Sequence, residues 1–165
     1  MTIAEIHRLL RERLGTIVSD DLRDAEWPLC DVRGQSIAEV CAMLRDEPGC
    51  DFDCLSNLSA VDRKSDDAIE VYYHLFSYRH RHRLALRATT PRPDPILPSV
   101  AQVWPIANWL EREAFDLLGV RFTGHPDLRR ILMPEDWVGH PLRKDFVEPD
   151  EYHGISTRRE SLLKL

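Results

Sequence analysis

The sequence predicts an α+β fold, with helices on one face of a small mixed sheet and an extended, proline-rich C-terminal arm. Apolar residues recur at helical spacing in three segments, and the segments between them are rich in β-branched and aromatic residues. Nine of the 11 prolines lie between Pro91 and Pro149, so the later part of the chain is expected to be largely extended. Mixed helices and strands in a short chain are typical of a two-layer α+β domain.

Composition limits the function classes. A chain of 165 residues with 43% hydrophobic residues can bury the core of one compact domain. The 28 acidic residues outnumber the 22 basic ones, for a formal charge of −6, which argues against a general nucleic-acid binder. The longest uncharged run, residues 95–110, is too short and too interrupted by proline to span a bilayer. Since the N-terminus lacks a signal-peptide pattern, we expect a cytoplasmic protein unless a partner holds it at a membrane.

The helices and strands can be assigned in order. Three capping boxes predict helix starts, namely Thr2 with Glu5, Ser36 with Glu39 and Ser99 with Gln102. The third helix is expected to run to Leu118 and to end at Gly119. Strands are predicted over residues 29–32, 55–61, 69–78 and 83–89, with residues 79–82 as a hairpin tip.

The basic run and the cysteines carry weak functional signals. The tip sequence RHRH could meet an acidic partner or a phosphate, but we favour a solvated turn because charge runs usually face water. Of the four cysteines, only Cys50 and Cys54 lie close together, and no second pair completes a metal or cluster site. We interpret the cysteines as reduced, mostly structural thiols. His125 and His140 are also too far apart for a metal signature, so no metal site is predicted.

Four charged residues cluster on the third helix: Glu111, Arg112, Glu113 and Asp116. Paired carboxylates can act as general acid and base, which leaves a free-standing hydrolase as one hypothesis. Residues two apart do not face each other on a helix, whereas Arg112 and Asp116, four apart, favour an ion pair. A structural network is therefore the favoured interpretation.

Longer segments resemble a known family. The stretches WLEREAFDLLGVRF (109–122), GHPDLRRILMPEDW (124–137) and GHPLRKDF (139–146) resemble the hallmark of the thirty-kilodalton subunit, also called the C subunit, of proton-translocating NADH:quinone oxidoreductase (respiratory complex I). Upstream, FDCLSNLSAVD and VYYHLFSY resemble its strand motifs, and EPDEYHGIS resembles its tail. Long segments in matching order are far more specific than a short motif.

The resemblance implies a non-catalytic subunit of the peripheral arm, with no redox centre or cofactor of its own. The enzyme couples electron transfer from NADH to quinone with proton translocation. The implied partners are the large quinone-site subunit and neighbouring iron–sulfur subunits, which would hold the clusters, FMN and quinone. Membrane association would be indirect, at the cytoplasmic face of the inner membrane. The nearest alternative is a homologous subunit of a membrane-bound hydrogenase or formate-oxidising complex.

The resemblance also implies roles for parts of the chain. Residues 1–122 would form the α+β domain, and residues 123–165 an arm docked on a partner protein. Glu111, Arg112, Glu113 and Asp116 would brace the third helix. The contacts of the arm would be Arg129, Arg130, Trp137, Arg143, Lys144, Asp145 and Phe146. Arg and Trp are enriched among interface anchors, which favours this interpretation. The alternative is that Trp137 and Leu142 cover the chain's own core.

Overall fold

The computed structural model describes residues 1–23 and 26–157, and leaves the side chains of residues 20 and 21 undescribed. Three helices are present in this part of the chain: α1 (Ile3–Leu14), α2 (Ile37–Asp46) and α3 (Ala107–Leu118). The strands are β1 (Val18–Arg23), β2 (Leu29–Arg33), β3 (Cys54–Arg63), β4 (Ala68–Phe76), β5 (Arg83–Pro91), β6 (Ile96–Pro98), β7 (Arg121–Thr123), β8 (Glu151–Tyr152) and β9 (Ile155–Ser156).

The main sheet has five strands in the order β1-β2-β5-β4-β3. Strand β2 runs parallel to β5, and the other neighbours are antiparallel, so the sheet is mixed. Side chains alternate between the two faces of the sheet along β4 and β5. On one face, Val71, Tyr73 and Leu86 are buried in one core with residues of all three helices. On the other face, Arg87 and Glu70 form an ion pair across the strands. The predicted α+β class with a mixed sheet is confirmed.

Local signals account for most boundaries. Thr2 caps α1 in a complete capping box with Glu5, as predicted. Helix α3 ends at Gly119, whose φ of 77° is the left-handed conformation that favours glycine. The four predicted strands correspond to β2, β3, β4 and β5, and residues 79–82 lie in the turn between β4 and β5.

Two of the predicted capping boxes do not form, although the predicted start of α2 directly after Ser36 is confirmed. Ser36 closes a short 3-10 turn, Gly34–Ser36, and its side chain makes no capping hydrogen bond. Ser99 does not begin α3, which starts at Ala107. The Ser99 hydroxyl instead donates to Glu111 at 2.6 Å, so a long-range partner takes the group that the spacing assigned to a cap.

After β7 the chain changes character. Residues 124–150 contain no helix or strand, and the β8–β9 hairpin follows them. Strand β7 pairs in parallel with β6, so the pairing joins the chain before α3 to the chain after it. The segment 124–157, here called the C-terminal segment, then contacts α3 and the main sheet through the bonds described below.

Candidate interaction site

Asp116 is the centre of the site that joins α3 to the C-terminal segment. Its carboxylate is fully buried and accepts hydrogen bonds from three successive backbone N–H groups, those of residues 131–133, at 2.7–3.0 Å. The Arg130 guanidinium donates to the other carboxylate oxygen at 2.7 Å. Burial acts to raise the pKa of Asp116, but these four donors outweigh it and hold the pKa below its ordinary value. The carboxylate is therefore charged and fully satisfied.

Arg112 connects the same helix to the same segment. Its guanidinium donates to the carbonyl oxygens of Arg129 and Arg130, at 3.1 and 3.4 Å, and lies over the Trp109 ring. The predicted pairing of Arg112 with Asp116 is wrong, because Asp116 takes its donors from residues 130–133 instead. Spacing within a helix could not reveal partners that lie 14–17 residues further along the chain.

The C-terminal end of α3 is capped from a distance. The His140 ring and the Arg143 guanidinium donate to the carbonyl oxygens of Asp116 and Leu118, at 2.9 and 2.8 Å. The backbone N–H of Leu142 donates to the Leu117 carbonyl oxygen. Basic side chains at a helix C-terminus satisfy carbonyl groups that have no partner within the helix. Burial lowers the pKa of His140, so its ring donates from the neutral form.

A third anchor joins the segment to the sheet. Arg92 pairs with Asp62 and Asp145, and the backbone N–H of Lys144 donates to the Asp62 carboxylate at 2.8 Å. The hydrogen bonds from Arg92 are the main cause that lowers the pKa of Asp62 below its ordinary value. The C-terminal segment is thus fixed at three places by charged groups.

Glu111 lies on the inner side of α3 and is fully buried. Its carboxylate accepts from the Val100 backbone N–H and the Ser99 hydroxyl, both at 2.6 Å, and so fixes the turn before the helix. The neighbouring His125 ring has its Nε2 atom 3.9 Å from the carboxylate, and the same atom bonds the Asn108 carbonyl oxygen. Burial is the main cause that raises the pKa of Glu111 to about 7.

The remaining residues of the sequence hypothesis are placed differently. Glu113 is exposed on α3 and has no hydrogen bond or ion pair within residues 1–23 and 26–157. Trp137 stacks with Phe146 at a centroid distance of 6.4 Å and packs against the tilted Tyr152 ring at 5.2 Å, outside the core cluster. The Arg129 side chain pairs with its neighbour Asp127 and is exposed, as is Lys144. Binding of a partner by these side chains stays a prediction.

Sequence reasoning missed the apolar surface of the C-terminal segment. Five aliphatic side chains on it are 56–84% exposed: Leu132, Val138, Leu142, Val147 and Ile155. They are scattered in sequence, so no periodicity points to them. Each lies on the segment that the anchors above hold in place, and the five exposed side chains are together called the aliphatic surface here. Exposed apolar side chains gathered on one ordered segment are typical of an interaction site.

Two kinds of feature are absent from residues 1–23 and 26–157, namely a candidate metal centre and a membrane-spanning helix. No set of three or more His, Cys, Asp or Glu side chains could hold a metal ion there. Cys30, Cys41 and Cys50 are buried free thiols, and burial raises the pKa of each. No described helix is long and apolar enough to cross a bilayer. The fold and the site thus define an α+β domain that holds an ordered segment with exposed aliphatic side chains.

The chain belongs to the family described as the respiratory-chain NADH dehydrogenase 30 Kd subunit, which matches residues 30–152. It is 50% identical over 115 residues to the C subunit of NADH-quinone oxidoreductase from Roseiflexus castenholzii, covering 69% of this chain and 66% of the relative. The C subunit from Chloroherpeton thalassium is 39% identical over 151 residues, covering 90% of this chain and 62% of that protein. The predicted family is confirmed, and the chain spans less than two thirds of the length of these relatives.

Two solved structures share the fold. One is Nqo5, described as a trypsin-resistant fragment (1-134), with a TM-score of 0.63 and 27% identity over 74% of this chain and 98% of that one. The other belongs to a membrane-bound sulfane sulfur reductase, an archaeal respiratory membrane complex. It has a TM-score of 0.74 and 23% identity over 87% of this chain and 85% of that chain, a likeness of fold alone.

Proposed function

We propose that this chain is a non-catalytic subunit of the peripheral arm of an NADH:quinone oxidoreductase that couples electron transfer to proton translocation. Its task is structural: the α+β domain holds the C-terminal segment, which docks on the large quinone-site subunit beside neighbouring iron–sulfur subunits. The clusters, FMN and quinone belong to those partners, so this chain binds no cofactor. It reaches the cytoplasmic face of the membrane only through the complex.

The observation that carries the proposal is that some residues of the C-terminal segment anchor it to this chain while others are exposed. The groups at Asp116, at the end of α3 and at Asp62 hold the segment to this chain. Outside these anchors it exposes the aliphatic surface, together with the Arg129 and Lys144 side chains. A preorganised surface of this kind loses little conformational entropy when a partner covers it.

Family membership supports the choice of complex. The relatives at 39–50% identity are C subunits of NADH-quinone oxidoreductase. The solved Nqo5 chain is a trypsin-resistant fragment of that protein, and this fragment matches the fold of the present chain. The division into residues 1–122 and 123–165 stays a prediction.

Native co-purification tests the proposal. A tag on this chain is used to recover its assembly from solubilised membranes, and iron content and NADH:quinone activity are measured on the eluate and on the chain alone. We expect a large, iron-rich, NADH-oxidising assembly, and a chain that alone holds no iron. Recovery with a nickel-containing large subunit would contradict the proposal in favour of the hydrogenase alternative. Turnover by the pure chain would favour the hydrolase.

A further inference from the structure

The outer edge of β3 is open. Strand β3 is the last strand of the main sheet, and its ladder of backbone hydrogen bonds runs to β4 alone within the described part of the chain. The register of β3 against β4 shifts between Leu55 and Asn57, and the regular part of the edge that follows, residues 57–61 with the sequence NLSAV, contains no charged residue and no proline. Natural edge strands are normally protected by such residues or by a covering element. The outward N–H and C=O groups of β3 therefore form a template for another strand.

A groove runs along this edge. Between β3 and α3 it encloses about 240 Å³. The strand contributes residues 57–60, and the helix contributes the apolar side chains of Leu110, Ala114 and Leu117. Leu142 of the aliphatic surface also lines the groove, so the groove adjoins the surface proposed above for docking. An open ladder beside an apolar wall is the arrangement that binds an extended peptide.

Glu113 gives the groove its charge. It is the charged residue of the lining, it is exposed, and it has no ion pair or hydrogen bond among the residues described. A basic side chain on an incoming segment would complement this carboxylate. A second copy of this chain would bring a second Glu113 to the same groove, and no basic side chain in the lining would compensate for the repulsion. The charge therefore favours a different polypeptide over self-association.

We propose that an extended segment of a neighbouring subunit adds to the outer edge of β3 as a sixth strand, with a Lys or Arg paired to Glu113. Alternate side chains of that segment are apolar and fill the groove against α3. The backbone ladder supplies affinity, and the groove and Glu113 supply register. The identity of the neighbour as a subunit of the same complex rests on the proposed function, whereas the strand addition itself rests on the open edge and the groove.

Site-specific photocrosslinking in the assembled complex tests the strand addition. A photoreactive amino acid replaces Asn57, which is exposed and lines the groove, in the tagged chain expressed in its own membranes. A second probe replaces Val147 on the aliphatic surface, and a control probe replaces the exposed Glu39 of α2. We expect the probe at 57 to crosslink to an extended segment of another subunit, and the control probe to give no such product.

The other outcomes overturn one proposal or both. Crosslinking of the probe at 147 to a partner, with none at 57, would leave the proposed function standing and contradict the strand addition. Crosslinking at 57 to residues 158–165 of the same chain, or to a second copy, would also contradict it. Failure of both probes to reach another polypeptide would contradict the strand addition and the proposed function together.

Charge reversal supplies an independent test. Glu113→Lys should reduce the amount of this chain retained in the purified complex about tenfold, because it brings like charges together in a partly desolvated groove. Glu113→Gln should reduce it less, and the matched control Glu39→Lys should leave it unchanged. The melting temperature of the full chain should stay constant in both Glu113 variants, since Glu113 has no described partner to lose. Wild-type retention of the Glu113→Lys variant would contradict the pairing.

Discussion

At the scale of single residues, Asp116 concentrates the contacts between α3 and the C-terminal segment. Four donors converge on its buried carboxylate. An Asn there keeps one acceptor oxygen and turns an NH₂ group towards N–H donors. We expect Asp116→Asn to lower the free energy of unfolding by about 2–4 kcal/mol. The Arg130 guanidinium would lose its charged partner, and backbone N–H donors would face the new NH₂ group instead of an acceptor. Urea unfolding at pH 7 measures the change.

Glu113→Gln is the matched control for this change. It removes a carboxylate from the same helix, but from an exposed site with no described partner. Its effect should stay within about 0.5 kcal/mol. A loss for Asp116→Asn as small as that of the control would mean that the four hydrogen bonds contribute little to stability.

Glu111 predicts the pH dependence of stability. The folded chain holds its pKa at about 7, above the ordinary value of 4.5, because the carboxyl is buried. The folded state therefore binds the proton more tightly, and the contribution to stability is complete below pH 4.5 and is lost as the pH rises through about 7. Glu111→Gln has no such proton, and its amide can still serve Val100 and Ser99. Between pH 5 and pH 8 the parent chain should lose about 1–3 kcal/mol more of its free energy of unfolding than the Glu111→Gln variant does.

Chemical denaturation at a series of pH values measures this difference. The His125 ring lies beside Glu111 in both proteins, so subtracting the two pH profiles isolates the carboxyl group. Parallel profiles would show that Glu111 titrates near its ordinary pKa despite its burial.

At the scale of elements, Gly119 controls how closely the C-terminal segment approaches α3. Its φ is 77°, and a Cβ atom there would lie 2.6 Å from the His140 Nε2 atom. Gly119→Ala should therefore lower the free energy of unfolding by about 2–4 kcal/mol, through backbone strain and displacement of His140. Gly124→Ala is the matched control, because φ is 78° but no atom lies within 4 Å of the added Cβ.

Limited proteolysis separates the two variants further. The displaced segment in Gly119→Ala should be cut faster after residue 123, whereas Gly124→Ala should resemble the parent chain in this assay. Equal cleavage and equal stability of the two variants would mean that the contact with His140 does not hold the segment.

The sequence predicts the elements of the main sheet better than their surroundings. The strands β2, β4 and β5 carry buried β-branched or aromatic residues, and β3 buries Leu55 and Leu58, so the composition of these four strands reveals them. Strand β1 has the polar sequence VSDDLR and pairs at the sheet edge, where composition gives little signal. Strands β6 and β7 have three residues each and are separated in sequence by α3, although they pair directly. Only tertiary packing therefore defines them.

The site shows the same limit. The spacing on α3 identifies the cluster of charged residues but assigns Arg112 and Asp116 to each other. The structure gives each of them partners from residues 129–133. Long-range contacts also decide which arm residues face inward, and the exposed aliphatic residues carry no sequence pattern of their own. Their binding roles remain predictions for the experiments above.

At the scale of the whole molecule, two adjoining surfaces stand out: the aliphatic surface and the groove beside β3. Leu142 belongs to both. Charged anchors hold the C-terminal segment to its own domain, so substitutions of its exposed aliphatic residues should separate assembly from stability. This separation is the central claim of the proposed function.

The most direct test replaces Val138 and Val147, which are 83% and 84% exposed, by Asp in the tagged full chain. We expect recovery of the iron-rich complex to fall about tenfold or more, because two charges would be buried in an apolar interface. The free energy of unfolding of the chain should change by less than about 1 kcal/mol, since both side chains are exposed. The exposed Tyr78, outside the segment, serves as the control in Tyr78→Asp. Undiminished recovery of the complex with the double variant would contradict the account.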